Sequence, residues 1–388
     1  MPPARVSSPL TSTPRSTDKV SGVIGRWGTI ALLIAVAVAG GVWGTAVGVP
    51  AAWIFSFLLV FGAYAILGDR QVQPPKKTMI PAQVIISLLC AAPLATVGLS
   101  SAASYAGAVV ASLVTTFAVC ALGAWLLVRF RGVTPATSIL SVMAGGASAM
   151  VMLAREIDDA DMRFTTLTQY LRLSIVVLTL PAMVHLLAGA EGMGDSGSGS
   201  GGGSAGEAWW HTSWEPVIGV LVTIAAVWAF TRLTGRWFTI SSPYLLLAVA
   251  FAVIAHLLGA PDAFLQPDGL VVNAAYALIG IQAGGTLTKS ALRHFAGALP
   301  IIVGVVVLMI LSSLGVALAI SAATDLRVLD AYLATVPGGI YAVLAFAHEA
   351  DSDPVVTVVQ VMRMIAMLVV GAYAPQIIEW LRRERKEN

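Results

Sequence analysis

Charged residues are scarce in this chain. Asp, Glu, Lys and Arg make up 11% of its 388 residues, whereas hydrophobic residues make up 57%. A soluble domain carries about 25% charged residues, so the composition excludes an ordinary soluble protein and predicts an integral membrane protein in contact with the lipid bilayer. The formal net charge is only +2, which gives no indication of a nucleic-acid partner.

Cysteine is almost absent as well. Cys90 and Cys120 both lie in apolar runs, which predicts buried free thiols rather than a disulfide or a metal site. His348-Glu349 does not begin a zinc-protease motif, because Ser352 stands where the second His is required. We find no spacing typical of metal ligands or of a nucleophile with its base. The sequence therefore predicts no enzyme activity, no cofactor and no metal.

Long apolar segments fill most of the chain and divide it into two halves. A Gly/Ser-rich linker at 190–213 separates a first membrane repeat, 27–189, from a second, 214–381. Residues 1–26 are predicted to be a disordered basic arm, and residues 382–388 a basic tail. The apolar segments lie at about 27–47, 50–68, 79–99, 102–129, 134–154, 164–188, 214–231, 241–259, 269–287, 295–323, 330–347 and 355–380.

The two halves share a residue pattern. Each contains, in the same order and at nearly the same spacing, a Gly-Gly pair, a Glu, an Asp and a Gln-x-x-Arg pair. The matching residues are Gly145, Gly146, Glu156, Asp158, Gln169 and Arg172, and then Gly338, Gly339, Glu349, Asp351, Gln360 and Arg363. Duplicated halves with glycine-broken, charge-bearing helices are typical of secondary transporters.

Basic residues predict the topology. The positive-inside rule places the Arg and Lys clusters in the cytoplasm, and the acidic linker then lies outside, so an odd number of crossings must separate it from Arg131. The Gly-Gly segment is the candidate that enters and returns, because glycine permits a broken helix where protein or water covers the backbone. We therefore predict an all-α membrane protein of two inverted repeats, with about 10 transmembrane helices plus two broken or re-entrant elements. The alternative is a uniform chain of twelve spans, about twenty residues each.

The two glycine pairs are the first candidate for substrate binding. Gly145-Gly146 follows Ala144, whereas Gly338-Gly339 follows Pro337. A glycine break frees backbone N–H and C=O groups, which together with half-helix dipoles can bind a substrate near the middle of the membrane. The alternative interpretation is close helix packing through small residues.

The Gln-x-x-Arg pairs are the second candidate for substrate binding. A spacing of three places Gln169 with Arg172, and Gln360 with Arg363, on one helix face. A central Arg costs about 2.5–3.5 kcal/mol on insertion scales and must face a partner or a cavity. One interpretation is a clamp for a substrate carboxylate. The other is a structural counter-charge that binds the carbonyls of a broken helix.

Acidic residues follow each glycine break. Glu156 and Asp161 in the first half, and Glu349 and Asp353 in the second, are candidate ion-coupling residues for protons or sodium. The alternative is that they only stabilise a helix N-terminus electrostatically. Gln282, which precedes another Gly-Gly pair, is a further candidate for substrate binding, at a cavity entrance.

At these residues the chain resembles the AbrB-duplication family of bacterial membrane proteins. That family has two copies of a hydrophobic repeat, each with a P-G-G-like turn, an A-x-E-x-x-A-D stretch and a Q-x-x-R helix. The first half departs from it at Ala144, where the family has Pro. The resemblance implies an architecture similar to that of cation:proton antiporters and anion transporters, and the family takes its name from a regulator of gene expression.

We therefore expect a multi-pass secondary transporter in the bacterial plasma membrane, with both termini in the cytoplasm. The arginines favour an organic anion as the small solute, and the acids favour protons or sodium as coupling ions. The alternative is a membrane protein that regulates gene expression without transport, for which the short arm and tail offer little room. The oligomeric state stays open, a homodimer included.

Overall fold

The computed structural model describes residues 16–49, 51–95, 105–144, 147–190, 210–234, 243–373 and 376, and within these ranges the chain forms helices and no strand. The helices are α1 (Ser16–Ala46), α2 (Ala52–Gly68), α3 (Lys76–Ala95), α4 (Ala106–Arg131), α5 (Pro135–Val142), α6 (Ala147–Glu156), α7 (Met162–Ala190), α8 (Trp214–Thr234), α9 (Pro243–Leu257), α10 (Asp262–Leu265), α11 (Gly269–Gly284), α12 (Lys289–His294), α13 (Leu299–Ala323), α14 (Val328–Thr335), α15 (Ile340–Glu349) and α16 (Val355–Ala372).

Each apolar segment predicted from the sequence coincides with a helix or with a pair of short helices. Residues 16–26 of the predicted arm already belong to α1. The start of the arm, residues 191–209 of the linker and the tail at 382–388 lie outside the described residues.

Six helical stretches in the described part of the chain are long and apolar enough to cross a membrane. They are Gly28–Ala46, Ala106–Arg131, Met162–Leu187, Trp214–Thr234, Asp262–His294 and Leu299–Ala323. Helix α13 shows why these stretches suit a bilayer: it buries Ile302 and Val306 on one face and exposes Val307 and Leu311 on another. A helix that is apolar on its outer face as well as its inner face fits a lipid environment.

The helices sort into two bundles, and both halves of the chain contribute to each. In the first, which we call the scaffold bundle, α2 packs along α11 and α3 packs along α9, with α1 and α8 beside them. In the second, the core bundle, α4 to α7 pack with α13 to α16. A Cβ atom at Gly280 would lie 2.5 Å from the carbonyl oxygen of Ile54, so glycine sets the close approach of α11 to α2.

Two discontinuous helices lie in the core bundle. Helix α5 ends at Val142 and α6 begins at Ala147, while α14 ends at Thr335 and α15 begins at Ile340. In the second half Pro337 favours an extended conformation for the preceding residue. Val336 has φ −61° and ψ 124°.

The first break has the same local geometry without a proline. Met143 has φ −57° and ψ 122°, so Ala144 in place of proline leaves the residue before it in the same conformation. Thr134 caps helix α5, since its hydroxyl accepts the Thr137 N–H at 3.2 Å. Pro135 is the first residue of the helix. Gly145 and Gly146 lie outside the described residues.

Candidate functional site

The second break is held by the Gln-x-x-Arg pair of α16. The Arg363 Nη1 atom donates to the carbonyl oxygens of Thr335, at 3.0 Å, and Val336, at 2.9 Å. The Gln360 amide donates to Leu333 at 2.6 Å and to Val336 at 3.2 Å. The last carbonyls of a helix have no partner within the helix and lie at the negative end of its dipole. The buried pair supplies both the donors and the positive charge that these carbonyls need.

The first break is held in the same way from α7. Gln169 Nε2 donates to the carbonyls of Leu140 at 2.7 Å and Met143 at 3.0 Å. Arg172 Nη1 donates to Met143 at 2.9 Å and to Val142 at 3.4 Å. The structure therefore shows both arginines in contact with broken-helix carbonyls, one of the two roles inferred from the sequence. Their binding of substrate stays a prediction.

The two clamps differ in one respect. In the second half Arg363 Nη2 donates to Gln360 Oε1, which closes the pair on itself. In the first half the Oε1 atom of Gln169 and the Nε atom of Arg172 are buried and have no hydrogen-bond partner in the described part of the chain. Gln169 is 0% exposed and Arg172 is 4% exposed. An unsatisfied acceptor and an unsatisfied charged donor therefore lie on one face of α7 beside the first break.

The two clamps are neighbours inside the core bundle. The Arg172 and Arg363 guanidinium groups are close enough to repel each other. The Cys120 thiol donates to the Val142 carbonyl at 3.1 Å, beside the first clamp. One part of the core bundle thus contains both helix breaks and two positive charges.

The glycines of the second break pack against α7. A Cβ atom at Gly338 would lie 2.8 Å from Val176 Cγ1, and one at Gly339 would lie 2.8 Å from Leu173 Cδ1. This contact agrees with the packing interpretation of the Gly-Gly pair. Pro337 precedes it at the break itself, and a substrate-binding role for these residues stays a prediction.

Two of the predicted ion-coupling acids cap helices. Asp161 Oδ1 accepts the Arg163 N–H at 2.8 Å at the start of α7. Asp353 Oδ1 accepts the Val355 N–H at 2.8 Å at the start of α16, together with the Tyr105 hydroxyl at 3.1 Å. Burial, with the Asp353 charge beside it, raises the pKa of Tyr105. The structure gives both aspartates a capping role and does not test ion coupling.

Glu349 lies between the two bundles. It ends α15 of the core bundle, and its Oε2 atom accepts the Ala51 N–H at 3.0 Å, just before α2 of the scaffold bundle. The buried hydroxyl of Tyr276 on α11 interacts electrostatically with Glu349 and has no hydrogen-bond partner among the described residues. The side chain of Glu156, the first-half counterpart, lies outside the described residues.

A small cavity lies beside the end of α15. Its volume is about 40 Å³, and its walls include Cys90 of α3 and His348 and Asp353 of the core bundle. A cavity of about 10–15 Å³ on this scale is enough for one water, so this space has room for water or a small cation.

Gln282 lies on α11 and is half-buried. Its side chain forms no hydrogen bond with a described residue, whereas the neighbouring Ala283 carbonyl accepts the Ser174 hydroxyl at 2.7 Å. Gln282 therefore lies near the contact between α11 and α7. On α7 this contact is made by Ser174, two residues after Arg172 in the chain. Ser174 and Ala51 were not identified from the sequence, because neither a single serine nor an alanine N–H indicates a distant partner.

The discontinuous helices and their buried clamps, within a set of long apolar helices, define a polytopic α-helical membrane protein. The chain belongs to the family described as "Transition state regulatory protein AbrB", which matches residues 53–382. This confirms the family resemblance inferred from the repeated motifs.

Two curated relatives have similar sequences. The "Putative regulator AbrB" of Escherichia coli (strain K12) is 25% identical over 330 residues, 84% of this chain and 89% of that protein. The "Uncharacterized protein YhjN" of Bacillus subtilis (strain 168) is 25% identical over 372 residues, 92% of this chain and 94% of that protein.

Proposed function

We propose that the protein is a secondary transporter of a small solute that carries both an anionic group and a hydrogen-bond donor. The observation that supports this most directly is the pair of buried polar atoms in the first clamp that have no hydrogen-bond partner in the described part of the chain. The Nε–H of Arg172 requires an acceptor, and Oε1 of Gln169 requires a donor. A buried polar atom without a partner costs about 1–3 kcal/mol, so a solute that supplies both groups gains affinity there.

The two-bundle arrangement supports an inverted repeat. Helix α2 of the first half packs on α11 of the second, and α3 of the first half packs on α9 of the second. Such an exchange is expected when a pseudo-two-fold axis relates the halves. The broken helices lie together in the core bundle, so movement of this bundle against the scaffold bundle would carry the clamp between the two sides of the membrane.

The boundary between the bundles supports ion coupling at Glu349. Its carboxylate contacts the scaffold bundle at Ala51 and is within electrostatic range of Tyr276, whose hydroxyl has no hydrogen-bond partner among the described residues. A cation bound between this carboxylate and hydroxyl would link the two bundles. Proton or sodium binding would then bias the position of the core bundle, which is the coupling a secondary transporter needs.

Uptake into proteoliposomes tests the transport function. Purified protein would be reconstituted and supplied with radiolabelled amino acids, hydroxy acids and simple carboxylates, under sodium and pH gradients. Lysine places a methylene where arginine has Nε, so Arg172→Lys keeps the charge and removes the unpartnered donor. We expect uptake of one solute class, reduced at least tenfold in Arg172→Lys, which corresponds to a loss of about 1.4 kcal/mol.

Arg363→Lys is the matched control, because in the second clamp Arg363 already donates to the Oε1 atom of Gln360. We expect it to lower stability and to keep the solute preference of the wild type. The rival function is regulation of gene expression without transport, which the printed description of the matched family and the name of the Escherichia coli relative favour. Folded protein that moves none of these solutes under either gradient would support the rival.

A further inference from the structure

The outer surface of the core bundle contains an apolar groove that the transport proposal does not use. It lies between α4 and α13 and has a volume of about 470 Å³. Its walls include Leu126 of α4 and Ile301, Gly304 and Leu308 of α13, and Arg131 lies at one end. The lining of α13 from 301 to 308 extends about 10 Å along the helix axis.

The groove opens toward the membrane rather than toward the interior. Helices α4 and α13 are both among the candidate membrane spans, and a Cβ atom at Gly304 would meet nothing within 4 Å. At Gly123 the two helices approach closely, because a Cβ there would lie 2.7 Å from Val305 Cγ1. The helices therefore touch at Gly123, and Arg131 lies at the other end of the α4 lining.

The charge at the Arg131 end of the groove is positive and has no ionic partner among the described residues. Arg131 is exposed and forms no ion pair or side-chain hydrogen bond with a described residue. A Cβ atom at Gly297 would lie 2.9 Å from Arg131 Nη1, so the guanidinium lies over the turn that precedes α13. Arg129, on the same helix turn, adds positive charge at this end of α4.

Exposed aromatic side chains near Arg131 indicate that this end of α4 lies at a membrane surface. Trp125 is 57% exposed and Phe130 is 61% exposed, and their rings meet edge to face with centroids 6.4 Å apart. Exposed aromatic residues near the ends of spans are typical of the boundary between the hydrocarbon core and the headgroups. Arg131 therefore lies at headgroup depth, while Leu126 and Leu308 extend toward the hydrocarbon.

We propose that this groove binds one anionic phospholipid, with its phosphate on Arg131 and an acyl chain along Leu126, Gly304 and Leu308. Arginine suits phosphate because its donors form a planar fork, and basic pockets between spans are known to select anionic headgroups. The proposal is independent of the transported solute. It assigns the groove a structural lipid that seals α4 against α13.

Native mass spectrometry and thermal unfolding of the full-length protein test this assignment. The probes are phosphatidylglycerol and phosphatidylcholine with identical acyl chains. We expect phosphatidylglycerol to be retained preferentially and to raise Tm by about 2 °C or more. Arg131→Gln should weaken this retention about fivefold. Gly304→Leu should fill the groove and abolish the retention of phosphatidylglycerol.

Gly315→Leu is the matched control, because Gly315 lies on the same helix, is exposed and also has nothing within 4 Å of an added Cβ. It should retain phosphatidylglycerol as the wild type does. Equal retention of the two lipids by the wild type, or unchanged retention by Gly304→Leu, would overturn the proposal. A change of oligomeric state in Gly304→Leu alone would instead identify the groove as an interface between two copies and would equally contradict it.

Discussion

The guanidinium of Arg363 donates to the carbonyl of Val336 at 2.9 Å, across the break in the second discontinuous helix. Arg172 donates to Met143 at the same distance across the first break. Met143 and Val336 have nearly the same backbone angles. A buried arginine is therefore a structural requirement of each break, whatever else it binds.

Replacement of Arg363 by methionine should destabilise the protein strongly. It removes the charged donor of the Thr335 and Val336 carbonyls and leaves the Oε1 atom of Gln360 without its donor. Each unsatisfied buried group costs about 1–3 kcal/mol, so we expect a loss of about 2–5 kcal/mol in thermal unfolding of purified protein. Arg155→Met is the control, because Arg155 is exposed, and its loss should be less than about 1 kcal/mol. Equal losses in the two variants would show that Arg363 does not hold the break.

The contact between α2 and α11 should be intolerant of a single methyl group. Gly280→Ala places a Cβ against the backbone carbonyl of Ile54, and backbone cannot rotate away as a side chain can. We expect a loss of about 1–3 kcal/mol. Gly315→Ala adds the same methyl group in open space and should be neutral or stabilising by up to about 1 kcal/mol. A neutral Gly280→Ala would mean that α2 and α11 are less closely packed than the structure shows.

Asp353 offers a direct distinction between capping and ion coupling. Asparagine caps a helix as well as aspartate does, whereas alanine costs about 1 kcal/mol. If Asp353 only caps α16, Asp353→Asn should keep both Tm and uptake, and Asp353→Ala should lower Tm. We expect this result, since Val355 and Tyr105 already occupy its Oδ1 atom. Loss of ion-dependent uptake in a stable Asp353→Asn variant would make it a coupling residue.

The sequence predicted the helices well because the apolar segments are long and separated by polar residues. It also predicted the breaks, since paired glycines recur beside a charged helix in each half. The contact of arginine with carbonyls was one of two open interpretations, because spacing places Gln and Arg on one helix face but does not identify what they face.

The residues that join the bundles could not be predicted from the sequence. Ala51 donates to Glu349 across 298 positions of the chain, and Ser174 donates to Ala283. An alanine N–H and a single serine carry no pattern that marks a distant partner. The difference between the two clamps was equally hidden, because both halves have the same Gln-x-x-Arg spacing.

Ligand-induced thermal stabilisation of two clamp variants tests the central claim most directly. Gln169→Met and Gln360→Met each remove an amide that binds helix carbonyls, so both should lower Tm in the absence of ligand. Of the two glutamines, Gln169 is the one whose Oε1 atom has no hydrogen-bond partner among the described residues. A solute that raises the Tm of the wild type should still raise that of Gln360→Met and should have no effect on Gln169→Met. An equal ligand-induced shift in both variants would place the solute elsewhere and contradict the account.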